Sequence, residues 1–302
     1  MFLVACGSSY HACLTASYLF SKIAKMHVNV VLGSEFSNYE HFLTSETLVI
    51  FVSQSGETID VLDALKTARK KNSRVVSIVN VIGSSLYRES DHTLLLNAGP
   101  EICVLSTKTY TAQLTVLSLL IYTVADRYEE GKKELNNLWN MIYSLTSANT
   151  RDYIKKLSEL LQHKDHIFLI GRGLQYPTAL EAALKIKEVS YIHAEGFSGG
   201  ELKHGTIALI EEGTPCIVFS STETEREIIS NAMEIKARGG YIIGVNHKNN
   251  EVFDYFIKVP DVGDLNPVIQ IIPMQILSYQ LAVLRGADPD KPRNLAKSVT
   301  VK

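Results

Sequence analysis

The sequence predicts an α/β protein made of two pseudo-symmetric subdomains, each a parallel sheet flanked by helices. Short apolar, β-branched runs alternate with segments of helical periodicity, which is typical of parallel sheets covered on both faces. The order of these segments then repeats once along the 302 residues. A chain of this length has room for two domains of about 150 residues each.

Two series of strands are predicted. The first comprises residues 2–5, 28–31, 47–52, 75–80 and 93–96. After a helical stretch over 107–161, the second series comprises residues 166–170, 206–210, 215–219, 241–245 and 256–259. The apolar, β-branched composition of these runs indicates buried strands.

The repeat is also visible in the residues themselves. Segment 49–58 resembles segment 216–224, and segment 2–9 resembles 167–173, since each is a strand that leads through small residues into a helix. A duplication follows, with a boundary near Asn149. We therefore predict a first subdomain over 1–149, a second over 150–288, and a C-terminal tail over 289–302 that closes the site.

Composition excludes several classes of partner. The net charge of -2, without a long Lys/Arg run, argues against nucleic acid. No apolar run reaches the roughly 18 residues of a membrane span, and the N-terminus lacks the features of a signal peptide, so we expect no membrane partner. Four scattered cysteines are typical of reduced thiols, which predicts a cytoplasmic location.

A candidate phosphate loop follows the third predicted strand. Ser53, Ser55 and Thr58 offer hydroxyl donors, Gln54 offers an amide, and Gly56 lets the backbone approach a ligand. Parallel sheets bind anions at this place, where a helix begins after a strand. A simple helix cap is the alternative interpretation. The second copy, 220–224, keeps capping residues but lacks the Gln and the Gly, which favours an anion site in the first.

Three ionisable residues share one face of a helix predicted over 176–192: Glu181, Lys185 and Glu188. A solvated salt-bridge face is the alternative, but the rest of this helix is largely apolar, and buried charges usually have a function. His204 lies among glycines, where an imidazole can reach a ligand or can simply be a surface side chain. The histidines show no zinc-ligand spacing, so neither a metal nor a cofactor is expected.

Six segments resemble the sugar-isomerase (SIS) half of glutamine-fructose-6-phosphate aminotransferases, also called glucosamine-6-phosphate synthases. They are residues 6–10, 53–58, 106–108, 184–195, 200–205 and 292–301. Many SIS proteins share the Ser-Gln-Ser-Gly loop. The Glu-Leu-Lys-His-Gly segment and the Asn-Leu-Ala-Lys-Ser-Val-Thr-Val ending are more particular to the synthases.

The resemblance implies a role for each matching residue. Glu188 moves the proton between C1 and C2 of the sugar, and Lys185 and Lys297 position or polarise its oxygens. His204 assists ring opening and enters the site of the neighbouring subunit, which implies a catalytic homodimer. The implied substrate-binding residues are Ser8, Ser9, Ser53, Gln54, Ser55, Thr58, Val104, Ser106 and Ala296.

The function implied by the resemblance is a step of hexosamine biosynthesis, the conversion of fructose 6-phosphate and ammonia to glucosamine 6-phosphate. The family's glutaminase half has no counterpart in these residues, so ammonia release from glutamine is expected to need a further domain or subunit. Two alternatives stay open: a stand-alone aminosugar-phosphate deaminase or isomerase, and a non-catalytic sugar-phosphate sensor.

Overall fold

The computed structural model describes residues 1–301, so Lys302, the last residue of the predicted tail, lies outside the described part. The chain forms two compact units. The first consists of Met1–Gly131 together with the segment that begins at Asn294, and the second is Lys132–Arg293. Each contains one parallel sheet flanked by helices, which confirms the predicted fold class.

The first unit contains a five-stranded sheet in the order β2-β1-β3-β4-β5. Its strands are β1 (Phe2–Ala5), β2 (Asn29–Leu32), β3 (Leu48–Ser53), β4 (Arg74–Val79) and β5 (His92–Leu95). Its helices are α1 (Gly7–Leu19), α2 (Ile59–Lys70), α3 (Ser85–Glu89) and α4 (Lys108–Val124). All neighbouring strands are parallel, so each crossover requires an intervening connection such as a helix.

An aromatic cluster lies under this sheet. The rings of Phe2 and Phe36 meet edge to face at 5.7 Å, and those of Phe36 and Phe51 at 6.1 Å. Phe36 belongs to a 3-10 helix, Gly33–Phe42, and is completely buried. This packing fixes β1 beside β3, so the loops that follow these two strands leave the same edge of the sheet.

The second unit begins within α5 (Tyr128–Leu145) and has a sheet in the order β10-β9-β8-β6-β7. Its strands are β6 (His166–Gly171), β7 (His193–Ser198), β8 (Pro215–Phe219), β9 (Tyr241–Asn246) and β10 (Tyr255–Lys258). Its further helices are α6 (Ala148–Leu161), α7 (Gln175–Ser190), α8 (Glu225–Lys236) and α9 (Asn266–Leu284).

The two sheets repeat the same topology. Adding five to each strand number of the first order, 2-1-3-4-5, produces 7-6-8-9-10, which is the second order read from its other edge. The helices that follow β3 and β8, α2 and α8, therefore occupy equivalent places. The duplication predicted from the sequence is confirmed at the level of strand order.

The predicted strand over 206–210 is wrong. Thr206–Leu209 is a 3-10 helix, and the place next to β6 is taken by β7, which the sequence did not predict. β7 has the sequence His-Ala-Glu-Gly-Phe-Ser and lacks β-branched residues. A side chain at Gly196 would lie 2.5 Å from the Ala179 carbonyl oxygen, so α7 packs directly on this strand. The helical stretch predicted over 107–161 is divided into three helices.

Among the described residues, one helical segment, Gly263–Leu284, is long and apolar enough to cross a bilayer. Its most apolar window is 67% buried within the protein. Burial of this kind is typical of the core helix of a globular domain, and α9 packs against α6 and α7.

Candidate functional site

The loop between β3 and α2 is organised by its own hydroxyl groups. The Gly56 N–H donates to Ser53 Oγ at 3.1 Å, and the Glu57 N–H donates to Ser55 Oγ at 3.2 Å. Ser53 Oγ also lies 3.3 Å from Thr58 Oγ1. Thr58 is the N-cap residue of α2, yet its side chain caps no backbone N–H. Helix capping therefore does not account for the hydroxyl groups of this loop.

Gly56 is required by its backbone and by its surroundings. Its φ is +68°, a conformation that glycine adopts readily and other residues rarely. A Cβ atom there would lie 2.2 Å from Ser84 Oγ. The loop after β4, which contains Ser84, thus holds the turn of the phosphate loop in close contact.

Ser8 and Ser9 lie in the first turn of α1, at the same sheet edge as this loop, and both are buried. Gln113 of α4 donates a hydrogen bond from Nε2 to Ser9 Oγ at 2.8 Å. Because the Ser9 oxygen accepts this bond, its own proton is free to point toward an acceptor. The structure therefore brings the predicted hydroxyl residues Ser8, Ser9 and 53–58 to one edge of the first sheet.

The C-terminal segment of the first unit lies on the phosphate loop. Ser298 Oγ is 3.1 Å from Ser55 Oγ, and the Val299 carbonyl accepts the Ile59 N–H at 3.0 Å. Ile59 is the first residue of α2, where backbone N–H groups have no partner within the helix. The segment thus satisfies one of these groups, while the predicted substrate residue Ala296 is exposed.

The connection between β5 and α4 contains two further predicted residues, Val104 and Ser106, and it is contacted by Lys297. Val104 and Ser106 are half-buried there, and Ser106 Oγ lies 2.5 Å from Thr109 Oγ1. Lys297 Nζ contacts a Glu101 carboxylate oxygen at 3.3 Å and donates to the Cys103 carbonyl. Glu101 and Thr109 were not predicted as site residues, because neither lies in a recognisable motif.

The side chain of Glu101 is only 3% exposed. Burial alone would raise its pKa, but hydrogen bonds from Thr109 and Thr107 and the charge of Lys297 together lower the pKa below its usual value. Glu101 is therefore a carboxylate at neutral pH. It forms an ion pair with the ammonium group of Lys297.

In the second unit, α7 holds two carboxylates and an ammonium group on one face. Lys185 is completely buried, and its Nζ lies 2.7 Å from Glu188 Oε2 and 3.3 Å from Glu181 Oε1. Burial alone would lower the pKa of Lys185, but Glu181 and Glu188 raise it above its usual value. Lys185 therefore stays an ammonium ion at neutral pH. Of the three side chains, Glu181 and Lys185 are fully buried, and Glu188, at 20% exposure, is the one accessible to solvent.

His204 ends a 3-10 helix, Gly199–His204, and is exposed. Gly205 follows it directly, and Lys203 precedes it. Within residues 1–301, no group of three or more His, Cys, Asp and Glu side chains is arranged to hold a metal ion.

Asp261 is a further polar residue that sequence reasoning missed. It lies in the second unit, facing the loop that corresponds to the phosphate loop. Its Oδ2 accepts the Thr222 N–H at 2.8 Å and the Thr222 hydroxyl at 2.5 Å. Its Oδ1 accepts from the Gly263 N–H at 3.0 Å and from Asn266 Nδ2 at 2.8 Å. Asp261 lies 39 residues from Thr222 in the chain, so no local sequence signal pointed to that contact.

A sequence model of the SIS domain matches residues 1–123 and 160–285, which is most of both units. The chain belongs to the SIS domain family. Among curated relatives of this SIS chain, the glutamine–fructose-6-phosphate aminotransferase [isomerizing] of Thermococcus kodakarensis is 46% identical over 99% of the chain. That of Caldanaerobacter subterraneus is 43% identical over the whole chain. The chain spans about half the length of these relatives, 51% and 52%.

Two solved structures extend the likeness. The C-terminal domain of glucosamine-fructose-6-phosphate aminotransferase from Francisella tularensis is 36% identical, with a TM-score of 0.87, over 96% of this chain and 86% of that one. A glucosamine-6-phosphate deaminase from Thermotoga maritima is 28% identical, with a TM-score of 0.81, over 99% and 89%. The resemblance to the SIS half of the aminotransferases is thereby confirmed.

Proposed function

We propose that this SIS chain is the isomerase and synthase half of a glutamine-fructose-6-phosphate aminotransferase, which converts fructose 6-phosphate and ammonia to glucosamine 6-phosphate. The observation that carries the proposal is the α7 cluster, in which the partly exposed Glu188 carboxyl is paired with a fully buried ammonium. Relatives with 46% identity over 99% of this chain bear the name of this enzyme. The proposed setting is hexosamine biosynthesis in the cytoplasm.

The first unit is proposed to bind the phosphate group of the sugar. Hydroxyl groups and backbone N–H groups at a helix start are suitable donors for a phosphate, and this unit collects them at one sheet edge. The proposed ligands are Ser8, Ser9, Ser53, Gln54, Ser55 and Thr58. Val104, Ser106 and Ala296 are proposed to contact the sugar.

Glu188 is proposed as the general base and acid. Ammonia first condenses with the C2 carbonyl to form an imine and releases water. Glu188 then takes a proton from C1 and returns it to C2, while the O1 proton passes to nitrogen, so that an aldehyde forms at C1 and an amine remains at C2. Lys185 is proposed to hold the Glu188 carboxyl in place, and Lys297 to stabilise the oxygen on which negative charge develops.

His204 is proposed to open the sugar ring in the site of a second subunit. Its exposure at the end of a short helix is compatible with such a contact. Mixing Glu188→Gln and His204→Ala proteins under conditions of subunit exchange tests this. Each mixed dimer would contain one intact site, so about a quarter of the wild-type activity should return. A mixture that stays inactive would argue against a shared site.

Incubation with fructose 6-phosphate and ammonium, followed by a glucosamine 6-phosphate assay, tests the proposed reaction. Glu188→Gln should remove turnover while sugar-phosphate binding persists, because the amide keeps the shape of the side chain but cannot accept the C1 proton. Saturable binding without turnover by the wild-type protein would instead support a sensor. In the complete enzyme, a glutaminase domain or subunit is the proposed source of ammonia.

A deaminase is the second candidate, favoured by the 28% identity to the Thermotoga maritima enzyme. Release of ammonia from glucosamine 6-phosphate that is much faster than synthesis at equal substrate concentrations would support it.

A further inference from the structure

Glu101 has an unusual set of partners for a loop carboxylate. One oxygen, Oε1, accepts the Thr107 N–H at 2.8 Å and the Thr107 hydroxyl at 3.2 Å. The other, Oε2, accepts the Thr109 hydroxyl at 2.5 Å and contacts Lys297 Nζ at 3.3 Å. The first oxygen therefore organises the start of α4, and the second is the one that holds the lysine.

The Lys297 ammonium is held from two sides. Besides Glu101, it donates to the backbone carbonyl of Cys103, and its side chain is only 30% exposed. The neighbouring cation, Lys108, donates instead to the Pro100 carbonyl and does not compensate Glu101 in this way. A partly buried charge-assisted contact of this kind is stronger than a hydrogen bond between neutral groups.

The two residues after Lys297 make the contacts with the phosphate loop. Ser298 reaches Ser55, and the Val299 carbonyl accepts the Ile59 N–H. Because these residues are consecutive in the chain, a fixed Lys297 side chain limits the movement of both contacts. The ion pair and the phosphate-loop contacts should consequently form and break together.

We propose that Glu101 is a positioning residue, which holds the Lys297 ammonium and, through it, the segment 297–299 against the phosphate loop. The catalytic part of this statement rests on the proposed function, because it assumes that Lys297 takes part in the reaction. The structural part does not depend on it. Glu101 thus links the β5–α4 connection, which contains Ser106, to the C-terminal segment.

Glu101→Gln tests the proposal with little change of shape. The amide oxygen can take the place of Oε1 and keep the bonds from Thr107, while the amide nitrogen faces Lys297 as a donor and cannot attract it. Hydrogen exchange at the Ile59 amide, measured by mass spectrometry without sugar, should become about tenfold faster. Turnover should fall by about tenfold, with a smaller change in KM.

Two further variants complete the test. Lys297→Met should expose the Ile59 amide to a similar extent, and in the double variant the two effects should not add, because both remove the same contact. Glu46→Gln, an exposed carboxylate of the same unit, controls for the change in net charge. It should leave exchange at Ile59 unchanged.

The proposal is overturned if the Ile59 amide stays protected in Glu101→Gln, or if the two single effects add in the double variant. Should Glu101→Gln fail to fold, protection of Ile59 in Lys297→Met would overturn it equally. Absence of turnover by the wild-type protein would contradict the proposed function instead. The exchange measurement would still report whether Glu101 holds the segment.

Discussion

The loops 53–58 and 220–224 occupy equivalent places in the two units but present different groups to a ligand. Both lie between a central strand and a helix whose N-cap is a threonine, Thr58 or Thr224. In both, the hydroxyl of this threonine pairs with that of a serine, at 3.3 Å in the first loop and 3.2 Å in the second. The second loop is one residue shorter and lacks the glycine.

The main difference between the two loops is the kind of group that their N–H and hydroxyl groups contact. In the second loop the N–H and hydroxyl of Thr222 donate to the Asp261 carboxylate, so an anion of the protein itself occupies them. In the first loop the counterpart of Thr222 in the sequence repeat is Ser55, whose Oγ contacts the Glu57 N–H and the Ser298 hydroxyl. The donors of Thr222 in the second loop are thus bound by an internal carboxylate. We therefore propose the first loop alone for sugar-phosphate binding.

The largest expected effect is that of Gly56→Ala on the first loop. The added methyl group would collide with Ser84 in a backbone conformation that alanine rarely adopts, so the loop must move. KM for the sugar phosphate should rise by at least about tenfold. Gly83→Ala is the control, because Gly83 has a φ of +78° but open space around its Cβ position. Equal effects of the two substitutions would contradict this role for Gly56.

A smaller effect, on stability, is expected from Asp261→Asn in the second loop. The amide can replace only part of the four hydrogen bonds that the carboxylate accepts. Urea unfolding should show a loss of about 2 kcal/mol, and KM for the sugar phosphate should not change. Asp152→Asn, at an exposed position of α6, is the control. A raised KM in Asp261→Asn would mean that the second loop takes part in binding.

The same carboxylate predicts a dependence on pH. Burial alone would raise the pKa of Asp261, but the hydrogen bonds from Thr222, Gly263 and Asn266 lower it far below its usual value. Its stabilising contribution is therefore present above about pH 4 and is lost as the pH falls below that value. The fall in unfolding free energy between pH 5 and pH 3 should be about 1 kcal/mol smaller in Asp261→Asn than in the wild type. Identical pH profiles would exclude this contribution.

The smallest effect is expected at Ser220, which corresponds to Ser53 in the repeat. Ser53 Oγ accepts the Gly56 N–H, whereas Ser220 Oγ is buried without a hydrogen-bond partner among residues 1–301. Ser220→Ala should change the unfolding free energy by less than about 0.5 kcal/mol, or increase it slightly. Ser53→Ala should raise KM for the sugar phosphate by several-fold at least. Comparable thermal stability and KM in the two variants would remove the distinction between the loops.

Most of the strands could be predicted because buried parallel strands consist of short apolar runs, and β1 and β8 coincide with their predicted bounds. β7 could not, since His193–Ser198 has no apolar run and is a strand only because it pairs with β6 and packs under α7. The shared face of Glu181, Lys185 and Glu188 followed from helical spacing. The complete burial of Lys185 did not, because it depends on the packing of α7 against α9 and β7.

The sequence alone determined the duplicated α/β fold, the grouping of hydroxyl residues in the candidate phosphate loop and the shared face of the α7 cluster, because these depend on periodicity and on neighbours a few residues apart. Only the tertiary structure decided that the Asp261 carboxylate accepts the donors of Thr222 in the second loop. It also decided that Glu101 holds Lys297, 196 residues away in the chain. Such contacts join residues that are distant in sequence, and no local pattern specifies them. They are formed when the elements pack, and the burial of each carboxylate then requires donors from elsewhere in its unit.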